Sequence, residues 1–232
     1  MIRTSRARPW LIAALACAAV FLAVGLDLST GGRWLGTFDV AVAGWLREWR
    51  TPETTLRAID LTALGSSSVV TLVTLVCCAL FALRRDAWAV LHIAVASAGA
   101  GVLMQLIKRY FERPRPADLP PLAQSLGSSF PSGHTLMATA LYLTFAVLAC
   151  RVFRRRRERA AVFGIAVLVI ALVGATRVYL GVHHPSDVVA GAAVGSAWAC
   201  LLAAAVPRRR SREPEGPPSL SPSRTVARRP PA

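Results

Sequence analysis

The sequence is poor in lysine, in acidic residues and in the patterns that usually hold a metal or a disulfide framework. Its 232 residues include 12 acidic and 27 basic side chains, and Lys108 is the single lysine. There is no HExxH motif and no dense set of carboxylates. The five cysteines lack CxxC spacing and lie in apolar segments, which favours buried apolar residues over a disulfide framework or a zinc site. They are Cys17, Cys77, Cys78, Cys150 and Cys200.

Long apolar segments dominate the chain, which is 54% hydrophobic and 17% charged. Six of them cover about 10–26, 66–83, 87–107, 134–150, 160–176 and 188–206. A transmembrane helix needs roughly 20 apolar residues. The sequence therefore predicts an all-α integral membrane bundle of six transmembrane helices within residues 10–206. No convincing small-residue cleavage site precedes Asp27, so we expect the first helix to be an uncleaved span rather than a signal peptide.

The net charge of +15 raises the alternative of a nucleic-acid partner, but the arginines cluster beside the apolar segments and in the tail. Arginines crowd the N-terminus, residues 84–85, residues 151–159 and the segment after 206. The positive-inside rule places these segments in the cytoplasm. Both termini are then cytoplasmic, no nucleic-acid partner is expected, and residues 27–65, 108–133 and 177–187 lie outside the plasma membrane.

Two segments outside the apolar runs have a distinct composition. Residues 34–49 place five large apolar side chains on one helical face, with Asp39 and the other charged residues away from it. This pattern predicts an interfacial helix between the first two spans, and a loop packed on the bundle is the alternative. Residues 207–232 are rich in Pro, Ser and Arg, which predicts a disordered cytoplasmic tail following a cytoplasmic N-terminus of residues 1–9.

Three short motifs share the predicted outer side of the membrane. The first has Lys108 and, after six intervening residues, Arg115-Pro116. The second is Pro131-Ser132-Gly133-His134. The third has Arg177, His183 and Asp187, separated by five and three residues. Together they offer cations and a helix start suited to a phosphate, and imidazoles suited to its transfer.

This three-part pattern resembles the type 2 phosphatidic acid phosphatase family, whose phosphate pocket is shared with vanadium haloperoxidases. The resemblance covers residues 108–187 and implies a phosphohistidine mechanism. His183 would be the nucleophile, Asp187 would orient it, and His134 would act as the general acid and base. Phosphate would be bound by Lys108, Arg115, Ser132, Gly133 and Arg177.

Other residues near the pattern are interpreted as structural. Arg109 and Arg113 are read as interfacial basic residues, and His92 and His184 as non-catalytic. Family members often have serine before the third-motif arginine, where this chain has Thr176. The hydroxyl is retained, so we expect function to survive.

The sequence thus predicts a membrane phosphatase that needs no metal or other cofactor and acts on a lipid phosphate or diphosphate. Undecaprenyl diphosphate is preferred over phosphatidic acid and phosphatidylglycerol phosphate, because an outward site suits envelope lipid recycling. A lipid phosphotransferase with the same intermediate remains open, as does a transporter or binding protein without catalysis. The sequence does not define an oligomeric state.

Overall fold

The computed structural model describes residues 4–117, 120–153 and 155–206, and all of its regular elements are α-helices. These are α1 (Thr4–Ser29), α2 (Arg33–Glu48), α3 (Pro52–Ala63), α4 (Ser67–Leu83), α5 (Ala87–Phe111), α6 (Gly133–Ala149), α7 (Arg156–Tyr179) and α8 (Pro185–Ala204). The predicted all-α class is confirmed. The predicted tail, residues 207–232, lies outside the described residues.

Each of the six predicted apolar runs corresponds to a helix, namely α1, α4, α5, α6, α7 and α8. Four of these, α1, α5, α7 and α8, are long and apolar enough to cross a membrane. Helices α3 and α4 are bent by 41° at a short break and together would make a fifth span. Helix α6 is apolar but has 17 residues. The chain therefore has the helices of a multi-pass membrane protein, while the count of six spans stays a prediction.

The segment between the first two runs forms two helices, of which the sequence predicted one. Helix α2 matches the predicted amphipathic segment, and its aromatic face is exposed, with Trp34 85% and Trp45 58% accessible. It is a helix rather than the alternative loop, and its placement at a membrane interface stays a prediction. Helix α3 was not predicted. It starts at a capping box, in which Thr51 and Thr54 satisfy each other's backbone N–H groups.

Small residues let α8 pack tightly against α6. A Cβ atom on Gly191 would lie 2.7 Å from the Ser132 carbonyl oxygen, and one on Gly195 would lie 2.7 Å from the Leu136 carbonyl oxygen. Close backbone approach through small residues is a common way to join helices in a membrane. The Ser132 N–H also donates to the Asp187 carbonyl at 3.0 Å. The starts of α6 and α8, which carry two of the motifs, are thereby held together.

Candidate active site

A cavity of about 150 Å³ brings residues from all three motifs together. Its wall includes Lys108 at the end of α5, Arg115 in the following loop, Gly133 and His134 at the start of α6, and His183 between α7 and α8. These residues span 76 positions, 108–183. The structure therefore brings the three segments together, as predicted. The role of each residue stays a prediction.

Lys108 and Arg115 are positioned by backbone carbonyl groups of the loop before α6. Lys108 Nζ donates to the Ser128 carbonyl at 2.5 Å. Arg115 donates to the Gly127 carbonyl at 3.1 Å, the Leu126 carbonyl at 2.8 Å and, from across the site, the Val182 carbonyl at 2.6 Å. Carbonyl oxygens orient these cations without cancelling their charge. The cavity is consequently electropositive, as an anion site requires.

The second motif supplies the N-terminus of α6. Ser132 is the fully buried N-cap residue, and its hydroxyl accepts from Thr135 Oγ1 at 3.0 Å rather than capping the helix. The first amides of a helix have no partner inside the helix and attract anions. Gly133 lets Met104 pack against this helix start, since a Cβ atom would lie 2.6 Å from Met104 Sδ and would displace that side chain. The backbone at this helix start can therefore closely approach a ligand in the cavity.

Arg177 lies behind the cavity wall in the last turn of α7. Its side chain is 3% exposed and donates to Thr62 Oγ1 of α3 at 3.1 Å. Its Nε has no hydrogen-bond partner among the described residues. The preceding Thr176 donates its hydroxyl to the Val173 carbonyl of its own helix at 2.7 Å. The hydroxyl that replaces the family's serine is therefore occupied by a backbone bond.

His183 stands between the cavity and the buried carboxylate of Asp187. The imidazole is 3% exposed, and its Nδ1 lies 3.5 Å from Asp187 Oδ2 without a formed hydrogen bond among the described residues. Asp187 is fully buried and accepts hydrogen bonds from Ser129 Oγ and from the His184 N–H at 2.9 Å. With Nδ1 directed to the carboxylate, the other ring nitrogen, Nε2, is the one left for a ligand. Asp187 is well placed to hold the ring in this tautomer.

The protein environment keeps the His183 imidazole neutral. The pKa of His183 is lowered to about 4, mainly by burial and also by the nearby Arg177 and Arg115 guanidinium groups. The Asp187 carboxylate acts in the opposite direction and raises the pKa. Cationic surroundings and loss of water both disfavour an imidazolium ion. At neutral pH the ring is therefore an uncharged base with a free lone pair.

Arg113 and Asp39 belong to this buried cluster, which the sequence analysis did not predict. Arg113 was interpreted as an interfacial anchor, yet its guanidinium bonds Asp187 Oδ1 at 2.5 Å and Asp39 Oδ2 at 2.8 Å. Asp39 was predicted to lie away from the apolar face of α2, and the structure shows that it is buried, at 3% exposure. The guanidinium makes one charged hydrogen bond to each of the two carboxylates, and this pairing explains why the three charges tolerate burial. Arg113-Pro114 precedes Arg115-Pro116, and this repeated dipeptide is the one sequence signal that could have indicated a second structured arginine.

A second cavity, of about 480 Å³, lies on the other side of the His183 loop and is bordered by α2. Asp39, Arg113 and His184 contribute to its wall, while Lys108 and His134 line the smaller cavity. Phosphate chemistry needs the cations and the proposed acid in one place, so we assign the smaller cavity as the reaction pocket. The Nδ1 atom of His184 lies 3.9 Å from Asp39 Oδ2. His92 stacks on Trp88 in α5 and does not line either cavity.

No cluster of three or more His, Cys, Asp or Glu residues suited to a metal occurs within the described part of the chain. The polar groups of the pocket are instead cations, imidazoles and helix amides, which match a phosphate group. The fold and the site thus define a multi-pass membrane protein with a cationic pocket. The chain belongs to the PAP2 superfamily, whose family model matches residues 89–211. This confirms the resemblance drawn from the motifs.

Similar proteins of known activity are lipid phosphatases. The chain is 32% identical over 153 residues to phosphatidylglycerophosphatase B of Bacillus subtilis, an alignment that covers 65% of this chain and 70% of that protein. It is 38% identical over 117 residues to lipid A 1-phosphatase of Rhizobium johnstonii, which covers 46% of this chain and 43% of that protein. These names agree with the predicted enzyme class, a lipid phosphatase.

A crystal structure supports the same assignment of the fold. It is a transmembrane PAP2-type phosphatidylglycerolphosphate phosphatase from Bacillus subtilis, with a TM-score of 0.75 and 27% sequence identity. The similarity covers 82% of this chain and 93% of that one. The helical membrane architecture is therefore shared over most of the described residues.

The neutral state of His183 can be tested by NMR of the detergent-solubilised protein labelled with ¹⁵N-histidine. The chain has four histidines, so His183→Gln assigns the His183 signal. We expect a neutral ring, protonated at Nδ1, with a pKa well below 6.5 and near 4. In Asp187→Asn the pKa should fall further, because the carboxylate that raises it is removed. A titration midpoint at or above 6.5 would contradict this account.

Proposed function

We propose that this protein is a metal-independent lipid phosphatase that transfers phosphate first to His183 and then to water. The observation that carries the proposal is the position of His183, between a cationic cavity and a buried carboxylate 3.5 Å from its Nδ1. A neutral imidazole in this position is a nucleophile whose developing charge the carboxylate stabilises. The bacterial relatives named above remove phosphate from lipids, which supports the same reaction class.

In the proposed complex, the phosphate lies in the 150 Å³ cavity. Lys108 and Arg115 have further N–H groups available for phosphate oxygens, and the amides at Gly133 provide additional donors. Arg177 would contribute through its buried, unpartnered Nε. A buried donor without a partner costs about 1–3 kcal/mol, so a phosphate oxygen at this position would recover a hydrogen bond. Ser132 would act by holding the helix start in place.

The proposed reaction has two steps. His183 Nε2 attacks phosphorus while the bond to the lipid oxygen breaks, and His134, in the imidazolium form that the bound phosphate anion favours, donates a proton to that oxygen. A water molecule then attacks the phosphohistidine, His134 takes its proton, and the P–N bond breaks to release phosphate and free His183. His134 lines the same cavity as His183, so one residue can serve both steps.

Independence from divalent metals follows from the same set of charges. A metal ion would stabilise the equatorial oxygens of the phosphoryl group, and Lys108, Arg115 and Arg177 can provide that stabilisation. These cations would also repel a divalent ion from the pocket. Catalysis would then depend on protein groups alone.

The proposed substrate is an amphiphile with a terminal phosphate or diphosphate. Undecaprenyl diphosphate is the preferred candidate from the sequence, because an outward site suits lipid recycling. Phosphatidylglycerol phosphate is the competing candidate. It is favoured by the similarity to the Bacillus subtilis phosphatidylglycerophosphatase sequence and crystal structure described above. The cavity is bordered by Met104 and Met137, whose flexible apolar side chains can accommodate a lipid stem next to the phosphate.

The proposed function predicts phosphate release by the purified full-length protein in detergent with excess chelator. The panel is undecaprenyl diphosphate, phosphatidylglycerol phosphate and phosphatidic acid, and His183→Gln is the inactive control. We expect release from at least one lipid, unchanged by chelator. Loss of activity in chelator and recovery with magnesium would exclude the metal-independent mechanism. Binding without release would indicate the transporter alternative, and transfer to an added lipid alcohol in place of water would indicate the phosphotransferase.

We also propose that the reaction pocket faces away from the cytoplasm in the plasma membrane. The turn at 151–159 carries six arginines, whereas 177–187 carries one, Arg177. Each charge moved into the membrane centre costs roughly 2.5–3.5 kcal/mol on insertion scales, so this asymmetry favours one orientation.

Cysteine labelling in intact cells tests this orientation. In a chain whose native cysteines are replaced, Gln124→Cys lies in an exposed part of the loop beside the pocket, and Val152→Cys lies in the arginine-rich turn at a 64% exposed position. A membrane-impermeant thiol reagent should modify Gln124→Cys and leave Val152→Cys unmodified until the cells are opened. The reverse pattern would place the pocket in the cytoplasm.

A further inference from the structure

The catalytic carboxylate is part of a buried row of alternating charges that begins on α2. Asp39 Oδ2 accepts from Arg113 Nη2 at 2.8 Å, and Arg113 Nη1 donates to Asp187 Oδ1 at 2.5 Å. The other oxygen of Asp187 faces His183 Nδ1. Asp39 on α2 and Asp187 on α8 are 148 positions apart in the chain. Arg113, in the loop after α5, joins their carboxylates.

Ser186 adds a second connection between the same groups. Its backbone N–H donates to Asp39 Oδ1 at 2.7 Å, and its hydroxyl donates to Asp39 Oδ2 at 2.6 Å. The same hydroxyl accepts from Arg113 Nη1 at 2.8 Å. Asp39 therefore accepts three hydrogen bonds from the residues beside Asp187. These hydrogen bonds account for the burial of Asp39 on a helix whose aromatic face is exposed.

The row matters because Arg113 is a cation in direct contact with the carboxylate that serves His183. Paired with Arg113 alone, Asp187 would form a neutral ion pair with a weak field at the imidazole. A second carboxylate, Asp39, balances Arg113 and leaves net negative charge in the group of three. At low dielectric such a difference in charge has a large effect on a neighbouring titratable group.

Resting on the proposed function, we propose that Asp39 and Arg113 are positioning residues for the reaction. Arg113 fixes the Asp187 carboxylate toward His183, and Asp39 compensates the Arg113 charge so that Asp187 can stabilise the imidazolium that forms during phosphoryl transfer. Neither residue contacts the cavity in which phosphate is placed. Helix α2 thereby contributes to catalysis through charge, in addition to covering the site.

His183 responds to every charge packed around it, so the effect of Asp39 has to be separated from the others. The facing groups are Asp187 on α8, Arg177 on α7, His134 on α6, Arg115 in the loop, and the adjacent His184. None of them makes a hydrogen bond to Asp39, and of these groups only His184 forms an ion-pair contact with it, its Nδ1 lying 3.9 Å from Asp39 Oδ2. A change in the behaviour of His183 in Asp39→Asn consequently reports the lost Asp39 charge.

The test compares Asp39→Asn with Glu48→Gln, which makes the same carboxylate-to-amide change at an exposed position of α2. The rate of phosphate release is measured over a range of pH with the lipid that the unmodified protein hydrolyses fastest. Each rate is divided by the amount of folded protein. We expect Asp39→Asn to lower kcat by about 10- to 100-fold, the range for partners that orient catalytic ligands, with little change in KM. The acid limb of its kcat profile should move to lower pH, since a negative charge near His183 is lost. Glu48→Gln should match the unmodified protein.

Further variants keep the result decisive. Asp39→Glu retains the charge and should recover part of kcat and the original acid limb. The losses in Asp39→Asn and Arg113→Gln should not multiply in the double variant, since the two residues act as a unit. If Asp39→Asn does not fold, Ser186→Ala replaces it and should lower kcat with KM retained.

An unchanged kcat and pH profile in Asp39→Asn, or in Ser186→Ala where the former does not fold, would overturn the positioning role. So would a loss explained wholly by the folded fraction. Absence of phosphate release from the unmodified protein would instead refute the proposed function itself, so the two failures are distinguishable.

Discussion

The Asp187 carboxylate is the buried group on which the arrangement of the site depends. It is fully buried at the first turn of α8, where an unsatisfied charge would be strongly destabilising. Its donors come from different segments: Arg113 after α5, Ser129 before α6, and the His184 N–H. Its backbone carbonyl accepts from Ser132 at the start of α6. Satisfying this one residue therefore draws the three motif segments to a common point.

The second constraint is the concentration of positive charge opposite that carboxylate. Lys108 and Arg115 are held by backbone carbonyl groups, and Arg177 by the Thr62 hydroxyl, so their charge is directed without being neutralised. Such an arrangement is unfavourable in the empty pocket and favourable with a phosphate anion in it. Burial contributes most to the neutral state of His183, and the Arg177 and Arg115 charges act in the same direction. In the proposed mechanism, these two charges would therefore serve both phosphate binding and catalysis.

The sequence predicted those features that depend on local patterns. Apolar length predicts six helices at their observed positions, and the resemblance of the three motifs to a known family implies that residues as far apart as Lys108 and His183 meet in one pocket. Helix α3 was missed because Pro52–Ala63 mixes polar and apolar residues and carries no long apolar run. The burial of Asp39 was not predicted because helical periodicity gives only the face of the helix, whereas its partners Arg113 and Ser186 are 74 and 147 positions away. Contacts of that kind depend on tertiary packing, which no local pattern encodes.

Formation of a covalent bond between phosphate and His183 is the central claim, and locating that bond tests it most directly. The full-length protein in detergent is mixed with a lipid bearing a ³²P-labelled terminal phosphate, quenched rapidly in alkali, digested and analysed by mass spectrometry. The account predicts label on the peptide containing His183 and none in His183→Gln. Label on a peptide without His183, or protein that stays unlabelled while phosphate is being released, would contradict it.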